Sequence, residues 1–378
     1  MKTVKLFDQD SYLRRFDAKV LSCEGSGDIF KIILDKTCFF PEAGGQPSDT
    51  GSLNGAAVID VQTEGDEIVH YSRSPFDAGE TVSGEIDFDR RFAFMQNHSG
   101  EHIVSGIVHR LFGFQNVGFH LNEEFVTMDF DGILSKEQLE KVEYLANNAV
   151  WEDRKITAFY PSHEEIKNIS FRQKSGIEGE LRLVRIEGVD ICACCAPHVA
   201  STGQIGIIKF LSSEKMRGGS RIYMKCGGYA LKDYREKLDS VTKFQNEFSV
   251  KPDKVYEGFI AFKKTLDDLK YENLSLRKRL ISLTADAITE KVAFVEGFSM
   301  PELQKLGDLL YKNTGVTHTV FSGDGDGHSL VICGEEKEVE ELFSRAKQSL
   351  NLKGGGRNGL ICCRVSAAKE DIIREFSK

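Results

Sequence analysis

Two groups of potential metal ligands lie far apart in the chain, and this arrangement restricts the fold more than any other feature. His98 and His102 are four residues apart in a run with helical periodicity, so both imidazoles project from one face of a helix. A second group lies in the segment 190–198: Cys192, Cys194, Cys195 and His198. Zinc prefers thiolate and imidazole ligands. If two helical histidines, one of these cysteines and His198 bind one ion, the fold must bring the two segments together. Unrelated structural roles for the two groups are the alternative.

Length and composition indicate a multidomain globular protein. The chain has 378 residues, with 40% hydrophobic, 10% aromatic and 28% charged residues, which is enough for two to four domains with substantial cores. Charges throughout the first thirty residues exclude a signal-peptide core, and no stretch is apolar enough to span a membrane. We therefore expect a cytoplasmic protein that does not bind membranes, and the nine cysteines are expected as ligands or free thiols rather than disulfides.

The hydrophobic pattern predicts an α+β protein with four parts. Residues 1–90 contain short β-rich runs and turns, which predict a small β-barrel-like domain. A helix from Arg91 to Phe112 opens an α+β domain over residues 91–230, which includes a second helix with Ser135 as its N-cap. Residues 231–290 are helical, and residues 291–378 read as a separate α/β domain with a glycine-rich loop before its last strand and helix.

The second helical run of the connector has a heptad pattern. Its apolar seam is interrupted by one polar residue, Asn273, and is formed by Phe259, Phe262, Leu266, Leu269, Leu276, Leu280 and Leu283. A single asparagine in such a seam fixes register and strand number, which is typical of a helix that pairs with a partner. An antiparallel hairpin with residues 231–248 of the same chain is the alternative. A homodimer through residues 255–285, or through the C-terminal domain, is one expectation.

The motifs together resemble the editing domain shared by alanyl- and threonyl-tRNA synthetases and by free-standing alanyl-tRNA editing proteins. His98-x-x-x-His102 and Cys194-x-x-x-His198 match its two metal motifs, and 40–51 is similar to its glycine-rich N-terminal motif. Residues 353–359 resemble the signature of a C-terminal domain that helps relatives to bind tRNA and to dimerise.

This resemblance implies which residues act. One zinc ion per chain would be bound by His98, His102, Cys194 and His198, which would also be the catalytic residues. The remaining implied residues would contact the tRNA substrate: Gly44, Gly45, Gln46, Arg217, Arg221, Gly355 and Arg357. The chain departs from the family at Cys194-Cys-Ala-Pro-His198, so Cys195 or Cys192 could replace Cys194 as the ligand. It departs again at 116–120, where many relatives carry Gln-x-Gly-Ser.

The expected function is zinc-dependent hydrolysis of the ester bond of mischarged tRNA(Ala), carrying serine or else glycine, by a trans-editing factor. The net charge of −9 means that any tRNA contact must be local, for example at the basic residues between Lys209 and Lys225. Two alternatives stay open. An inactive module would bind tRNA without cleaving it. A zinc peptidase would use His98, Glu101 and His102 in a His-x-x-Glu-His motif and would need a further carboxylate ligand.

Overall fold

The described residues form both helices and β-sheets, which agrees with the predicted α+β class in that the protein contains both kinds of structure. The computed structural model describes residues 2–172, 181–325 and 327–378. The chain divides into two compact units, Met1–Ser240 and Val241–Lys378. The finer division into four domains remains a prediction. Among the described residues, every helix is too short or too polar to cross a bilayer.

The first unit begins with a barrel of short strands. Its elements are β1 Val4–Lys5, α1 Leu6–Gln9, β2 Arg15–Ser26, β3 Ile29–Leu34, β4 Lys36–Thr37, β5 Gly51–Leu53, β6 Ala56–Glu64, β7 Glu67–Ser72 and β8 Thr81–Ile86. Six strands hydrogen-bond in a closed ring in the order β2-β3-β7-β6-β5-β8. In β8 buried and exposed residues alternate strictly, because successive side chains of a strand point to opposite faces. The inward side chains, such as Ile32, Leu34 and Val82, form an apolar core.

The remainder of the first unit packs helices against two antiparallel sheets. Its elements are α2 Phe88–Phe112, β9 Asn116–Leu121, β10 Val126–Phe130, α3 Lys136–Trp151, β11 Ile156–Phe159, α4 His163–Ile166, β12 Leu183–Ile186, β13 Asp190–Ala193, β14 Ile208–Met216 and β15 Gly219–Cys226. The sheets have the orders β14-β15-β10-β9 and β11-β12-β13. Asp87 caps α2 by accepting a hydrogen bond from Arg90 N, and α2 ends at Gly113 in the left-handed conformation. Ser135 caps α3 in a capping box with Gln138, which confirms the predicted N-cap.

A buried ion pair fastens the loop between β4 and β5 to α2. Arg91 and Asp49 are fully buried and paired, with Arg91 Nε 2.9 Å from Asp49 Oδ1. Arg91 also donates to the carbonyl oxygens of Cys38 at 2.7 Å and Ser11 at 3.1 Å. Asp49 Oδ2 accepts a hydrogen bond from Phe40 N at 2.7 Å. Both ends of the loop that carries the glycine-rich motif are therefore held against the first turn of α2.

The second unit contains one five-stranded sheet with helices on both faces. Helix α5 Gly227–Phe248 begins in the first unit and ends in the second; the following elements are α6 Val255–Ala287, β16 Val292–Phe294, α7 Met300–Thr314, β17 His318–Asp324, β18 Gly327–Cys333, α8 Glu336–Ser349, β19 Leu352–Arg357, β20 Leu360–Ser366 and α9 Lys369–Phe376. The sheet order is β16-β17-β18-β20-β19. Phe321 packs in the core with α8 and α9, whereas the adjacent Val320 packs in the core with α6 and α7.

The prediction of a glycine-rich loop near residue 355 is wrong. Gly354, Gly355 and Gly356 lie in β19, the edge strand of the sheet, and pair with Cys363, Cys362 and Ile361 of β20. A Cβ at Gly356 would lie 1.9 Å from Leu360 O, so the close approach of the two strands requires glycine there. The turn of the hairpin follows at Asn358 and Gly359, which both have positive φ.

The apolar seam of α6 is largely exposed in this single chain. The exposed seam residues are Phe259, Phe262, Leu266, Leu269, Leu276, Leu280 and Leu283. At the start of α6, the Phe248 ring at the end of α5 lies 6.4 Å from the Phe259 ring and 5.8 Å from the Phe262 ring. The pairing of this seam with a second chain remains a prediction.

The Arg91–Asp49 pair yields a stability prediction. Replacing Arg91 with Met should cost about 3–5 kcal/mol of unfolding free energy, because it leaves the Asp49 carboxylate buried without its partner. Arg15→Met is the matched control: Arg15 pairs with Glu85 on the surface, and its loss should cost about 1 kcal/mol or less. Urea unfolding followed by the fluorescence of Trp151, the sole tryptophan, reports on this unit. Equal losses for the two variants would contradict the anchoring role of Arg91.

Candidate metal centre

Helix α2 presents the first pair of candidate ligands. His98 and His102 are one helical turn apart, and both side chains are buried. Their ring centroids are 5.4 Å apart, so the two imidazoles point toward the same region beside the helix. The helix can pack closely there because Gly106 lies against β13; a Cβ at this position would lie 2.7 Å from Asp190 Cβ.

The segment that follows β13 presents the second pair, Cys194 and His198. Arg182 fixes its path, since Arg182 Nη1 donates to the carbonyl oxygens of Cys194 and Ala196, each at 2.9 Å. Ser11 Oγ donates to His198 O at 3.0 Å. Ala196 N donates to Cys194 Sγ at 3.4 Å, a contact that favours the thiolate form. The backbone of this segment is thus held in place from several sides.

The structure brings all four side chains together. One ligand atom from each of His98, His102, Cys194 and His198 can be chosen so that all lie within 4.8 Å of one another. Cys194 Sγ lies 3.6 Å from His98 Nε2 and 3.3 Å from His198 Nε2. Zinc–sulfur bonds of about 2.3 Å and zinc–nitrogen bonds of about 2.0–2.1 Å at a tetrahedral angle separate the two ligand atoms by about 3.5 Å. The spacing of this cluster therefore fits a tetrahedral metal ion.

Each imidazole has a polar group at its other nitrogen. His98 Nδ1 lies 2.8 Å from Gln46 Oε1, and because an amide oxygen only accepts, His98 donates and keeps Nε2 for the cluster. His198 Nδ1 lies 2.9 Å from Ser99 Oγ. His102 Nδ1 lies 3.6 Å from Asp190 Oδ2, which is slightly beyond hydrogen-bond distance. Asp190 is thus the polar group beside this nitrogen of His102. Metal-binding histidines typically have such partners, which fix the ring and its tautomer.

Burial changes the pKa of His198 and of Cys194. It lowers the pKa of His198 well below its usual value, and the neighbouring imidazoles of His102 and His98 lower it further. The neutral imidazole that a metal requires is therefore the stable form. Burial also raises the pKa of the Cys194 thiol, and the nearby Cys195 adds to this effect. A metal ion at this position would have to displace the thiol proton.

A second, overlapping group of possible ligands lies on the far side of His102. It consists of His102, Asp190 and Cys192, which are all buried. Arg172 binds Asp190 through both guanidinium contacts, at 2.8 and 2.6 Å. Burial opposes ionisation of Asp190, but Arg172 and His102 outweigh it and hold the pKa of the carboxyl at about 2. Cys195 is exposed and belongs to neither group. Of the three cysteines, Cys194 is thus the one that meets both His98 and His198.

A cavity of about 510 Å³ opens beside the cluster. Its lining includes His98, Glu101, His102 and Cys194, so the candidate ligands face the cavity. The cavity also receives side chains from the barrel, from the segment before β12 and from the N-terminal strand. Its volume lies within the range of about 300–1,000 Å³ that is typical of small-molecule sites.

The residues predicted to bind substrate fall into three places. Gly44 lines the cavity, in a tight turn closed by paired backbone hydrogen bonds between Ala43 and Gln46. Gly45 and Gln46 support this turn: Gly45 O accepts from Leu121 N at 2.9 Å, and the buried Gln46 side chain reaches His98.

Two arginines of the first unit lie outside the cavity lining. Arg221 is bound through two contacts, at 2.6 and 2.7 Å, to Asp129 of β10. Arg217 is exposed at the turn between β14 and β15. Gly355 and Arg357 lie exposed on β19 of the second unit.

Most of the groups that support the ligands are absent from the residues predicted in the sequence analysis. Ser99 and Asp190 were not predicted, although each lies within a few residues of a ligand in the chain, and Arg172 was missed as well. Gln46 was predicted to contact substrate rather than His98. A polar residue adjacent to a metal motif is a weak signal that could have indicated Ser99 and Asp190.

Two family models match parts of the chain. Residues 181–223, which include Cys194 and His198, match the second additional domain of threonyl and alanyl tRNA synthetases. Residues 10–90, which include the glycine-rich turn, match class II (A) tRNA synthetases.

Relatives extend the match to most of the chain. The alanine–tRNA ligase of Pyrococcus abyssi is 32% identical over 95% of this chain, but the chain spans only 41% of that ligase. The alanyl-tRNA editing protein Aarsd1 of Danio rerio is 27% identical over 93% of this chain and 91% of the relative. The alanyl-tRNA editing protein Aarsd1-A of Xenopus laevis is 30% identical over 87% of this chain and 83% of the relative. This chain therefore belongs to the family of alanyl-tRNA editing proteins.

Proposed function

We propose that this protein is a trans-editing deacylase that hydrolyses the aminoacyl ester of mischarged tRNA(Ala), with serine as the preferred acyl group and glycine as the alternative. One observation carries the proposal: Cys194 and His98 are 96 residues apart in the chain, yet their ligand atoms lie 3.6 Å apart beside a cavity. Relatives that are similar over most of their length carry the name of alanyl-tRNA editing proteins.

The proposal includes one zinc ion per chain, bound by His98, His102, Cys194 and His198. The donor set of three imidazoles and one thiolate suits zinc, and the sulfur–nitrogen distances suit its tetrahedral geometry. Bound zinc would supply a Lewis acid that polarises the ester carbonyl of the substrate, for which an ion with four protein ligands would have to accept the carbonyl oxygen as a fifth ligand. Gln46 and Ser99 would hold the imidazoles of His98 and His198 in the orientations that this role requires.

The other residues of the cavity would bind and enclose the end of the substrate. Gly44 brings backbone without a side chain to the edge of the cavity, which allows close approach to a ligand. Exposed Arg217 in the first unit and Arg357 in the second are proposed contacts for the tRNA phosphates. Arg221 is a weaker candidate, because Asp129 already offsets its charge.

Three alternatives are distinguishable by experiment. A zinc peptidase with His98, Glu101 and His102 would need a downstream carboxylate ligand, whereas Cys194 and His198 already lie at the two histidines. A thiol-dependent hydrolase that uses Cys195 is also disfavoured, because Cys195 lies outside the cluster that contains the histidines. An inactive tRNA-binding module would have the same residue geometry as an active deacylase, so only an activity measurement separates the two.

The activity itself is tested with defined substrates. The wild-type protein should release serine from seryl-tRNA(Ala) and leave alanyl-tRNA(Ala) charged. His98→Ala should lower kcat/KM for serine release at least ~100-fold, because it removes a ligand of the reacting centre. Release is measured with radiolabelled serine. If both tRNAs stay charged while the protein binds them, the protein is the inactive binding module.

Metal binding is tested by single substitutions at two adjacent cysteines, Cys194 and Cys195. The purified wild type should contain about one zinc per chain, measured by inductively coupled plasma mass spectrometry. Cys194→Ser should lose most of this zinc, because it removes the only sulfur within the four-residue cluster. Cys195→Ser is the matched control and should retain it, because this thiol is exposed and outside the cluster. Loss of zinc in Cys195→Ser and retention in Cys194→Ser would overturn the ligand assignment.

A further inference from the structure

Tyr160 is an exposed aromatic residue at the candidate metal centre whose role the proposed function leaves unassigned. It lines the same cavity as His98 and Cys194, and 46% of its surface is exposed. Phe7 and Phe40 also line the cavity, but both are buried in the barrel core, where their rings meet edge to face. Among the phenylalanine and tyrosine residues of the described lining, Tyr160 is therefore the one with ring surface available to a ligand.

The position of this ring is restricted at both ends of the residue. Tyr160 directly follows β11 and precedes Pro161, and a residue before proline is confined largely to extended backbone conformations. At the other end, Tyr160 Oη donates a hydrogen bond to Asp8 Oδ2 at 2.9 Å. These two restraints reduce the conformational entropy that an exposed tyrosine would otherwise lose when it binds a ligand.

A series of contacts links Tyr160 to the segment that carries Cys194. Asp8, which accepts the tyrosine hydroxyl, has its Oδ1 atom 3.4 Å from Arg182 Nε. Arg182 Nη1 in turn donates to the carbonyl oxygen of Cys194 at 2.9 Å. Two side chains thus connect the ring to the backbone of a candidate metal ligand. Because Tyr160 and Cys194 line one cavity, a single ligand can contact both the ring and the cluster.

The charged residues of the lining have both signs. Lys2 and Lys5 line the cavity together with Asp8, Asp66 and Glu101. The two arginines of the lining each lie in an ion pair with a carboxylate of this chain. Attraction to phosphates would therefore hold the end of an RNA strand only weakly here. Stacking of a base on an aromatic ring does not depend on the net charge of the lining, and every base has a face that can stack.

We propose that Tyr160 binds the 3′-terminal adenine of the tRNA substrate by stacking. The proposal rests on the proposed deacylase function and adds how the nucleotide that carries the ester is held. The ester joins the amino acid to the ribose of the 3′-terminal adenosine, so this base lies within one nucleotide of the bond to be cleaved. Unpaired bases at RNA ends typically stack on aromatic side chains. With the base on Tyr160, the ester can reach the metal cluster in the same cavity.

The test uses an uncharged acceptor-stem minihelix of tRNA(Ala) with 2-aminopurine in place of the 3′-terminal adenine. Stacking quenches 2-aminopurine fluorescence, so the measurement does not require hydrolysis. The wild type and Tyr160→Phe should quench it, because both have an aromatic ring at this position. Tyr160→Leu should not quench it and should raise Kd about 5- to 100-fold, the range expected for the loss of one stacked base. A minihelix without the terminal base should bind to the wild type and to Tyr160→Leu with equal Kd.

Controls separate stacking from other effects of the substitution. Tyr144→Leu is the matched control, because Tyr144 is exposed on α3 and outside the described lining; this variant should quench like the wild type. Thermal unfolding of all variants should equal that of the wild type. Equal quenching by Tyr160→Leu and the wild type, or no quenching by the wild type, would overturn the proposal.

Two further outcomes have distinct meanings. If Tyr160→Phe loses as much quenching as Tyr160→Leu, the hydroxyl contact with Asp8 is the important feature, and stacking on the ring is overturned. If the minihelix is quenched as expected but seryl-tRNA(Ala) stays charged, the base contact stands and the proposed deacylase function fails.

Discussion

The contact between α2 and the segment that follows β13 is the interaction on which the rest of the site depends. Three buried imidazoles and one partly buried thiol lie in contact there. The His98 and His198 ring centroids are 4.9 Å apart, and those of His102 and His198 are 4.7 Å apart. Such groups lose hydration on burial and need partners. The cost of burying these groups is reduced in two ways. Burial keeps His198 neutral, and each ring has a polar group at its second nitrogen.

Three supports of different chemistry hold this contact. The glycine at position 106 permits the close approach of β13 to the helix. The hydrogen bonds from Arg182 fix the backbone that carries Cys194. The buried Arg91–Asp49 pair secures the loop of Gln46, and Gln46 in turn reaches His98. The barrel therefore contributes to the site through a loop anchored on the same helix that supplies two ligands.

Local sequence patterns predicted the helix and the ligand types, because helical spacing determines which side chains share a face. They did not predict the supporting contacts, since Gln46 and His98 are 52 residues apart and Ser99 and His198 are 99 apart. The sequence alone left Cys192, Cys194 and Cys195 as alternatives, and folding distinguishes them by the direction of each side chain. The glycines at 354–356 favour a loop in a prediction from sequence, because glycine is rare in strands, but backbone hydrogen bonds to β20 hold them in β19.

The four-residue centre explains why two distant motifs occur in one chain and where the cavity lies. We propose that these four side chains bind one zinc ion. The most direct measurement is anomalous diffraction at the zinc absorption edge from crystals of the full-length protein. The prediction is one peak bonded to His98, His102, Cys194 and His198, with zinc–nitrogen distances of about 2.0–2.1 Å and a zinc–sulfur distance of about 2.3 Å. A peak bonded instead to Asp190 and Cys192, or the absence of any peak at this edge, would contradict it.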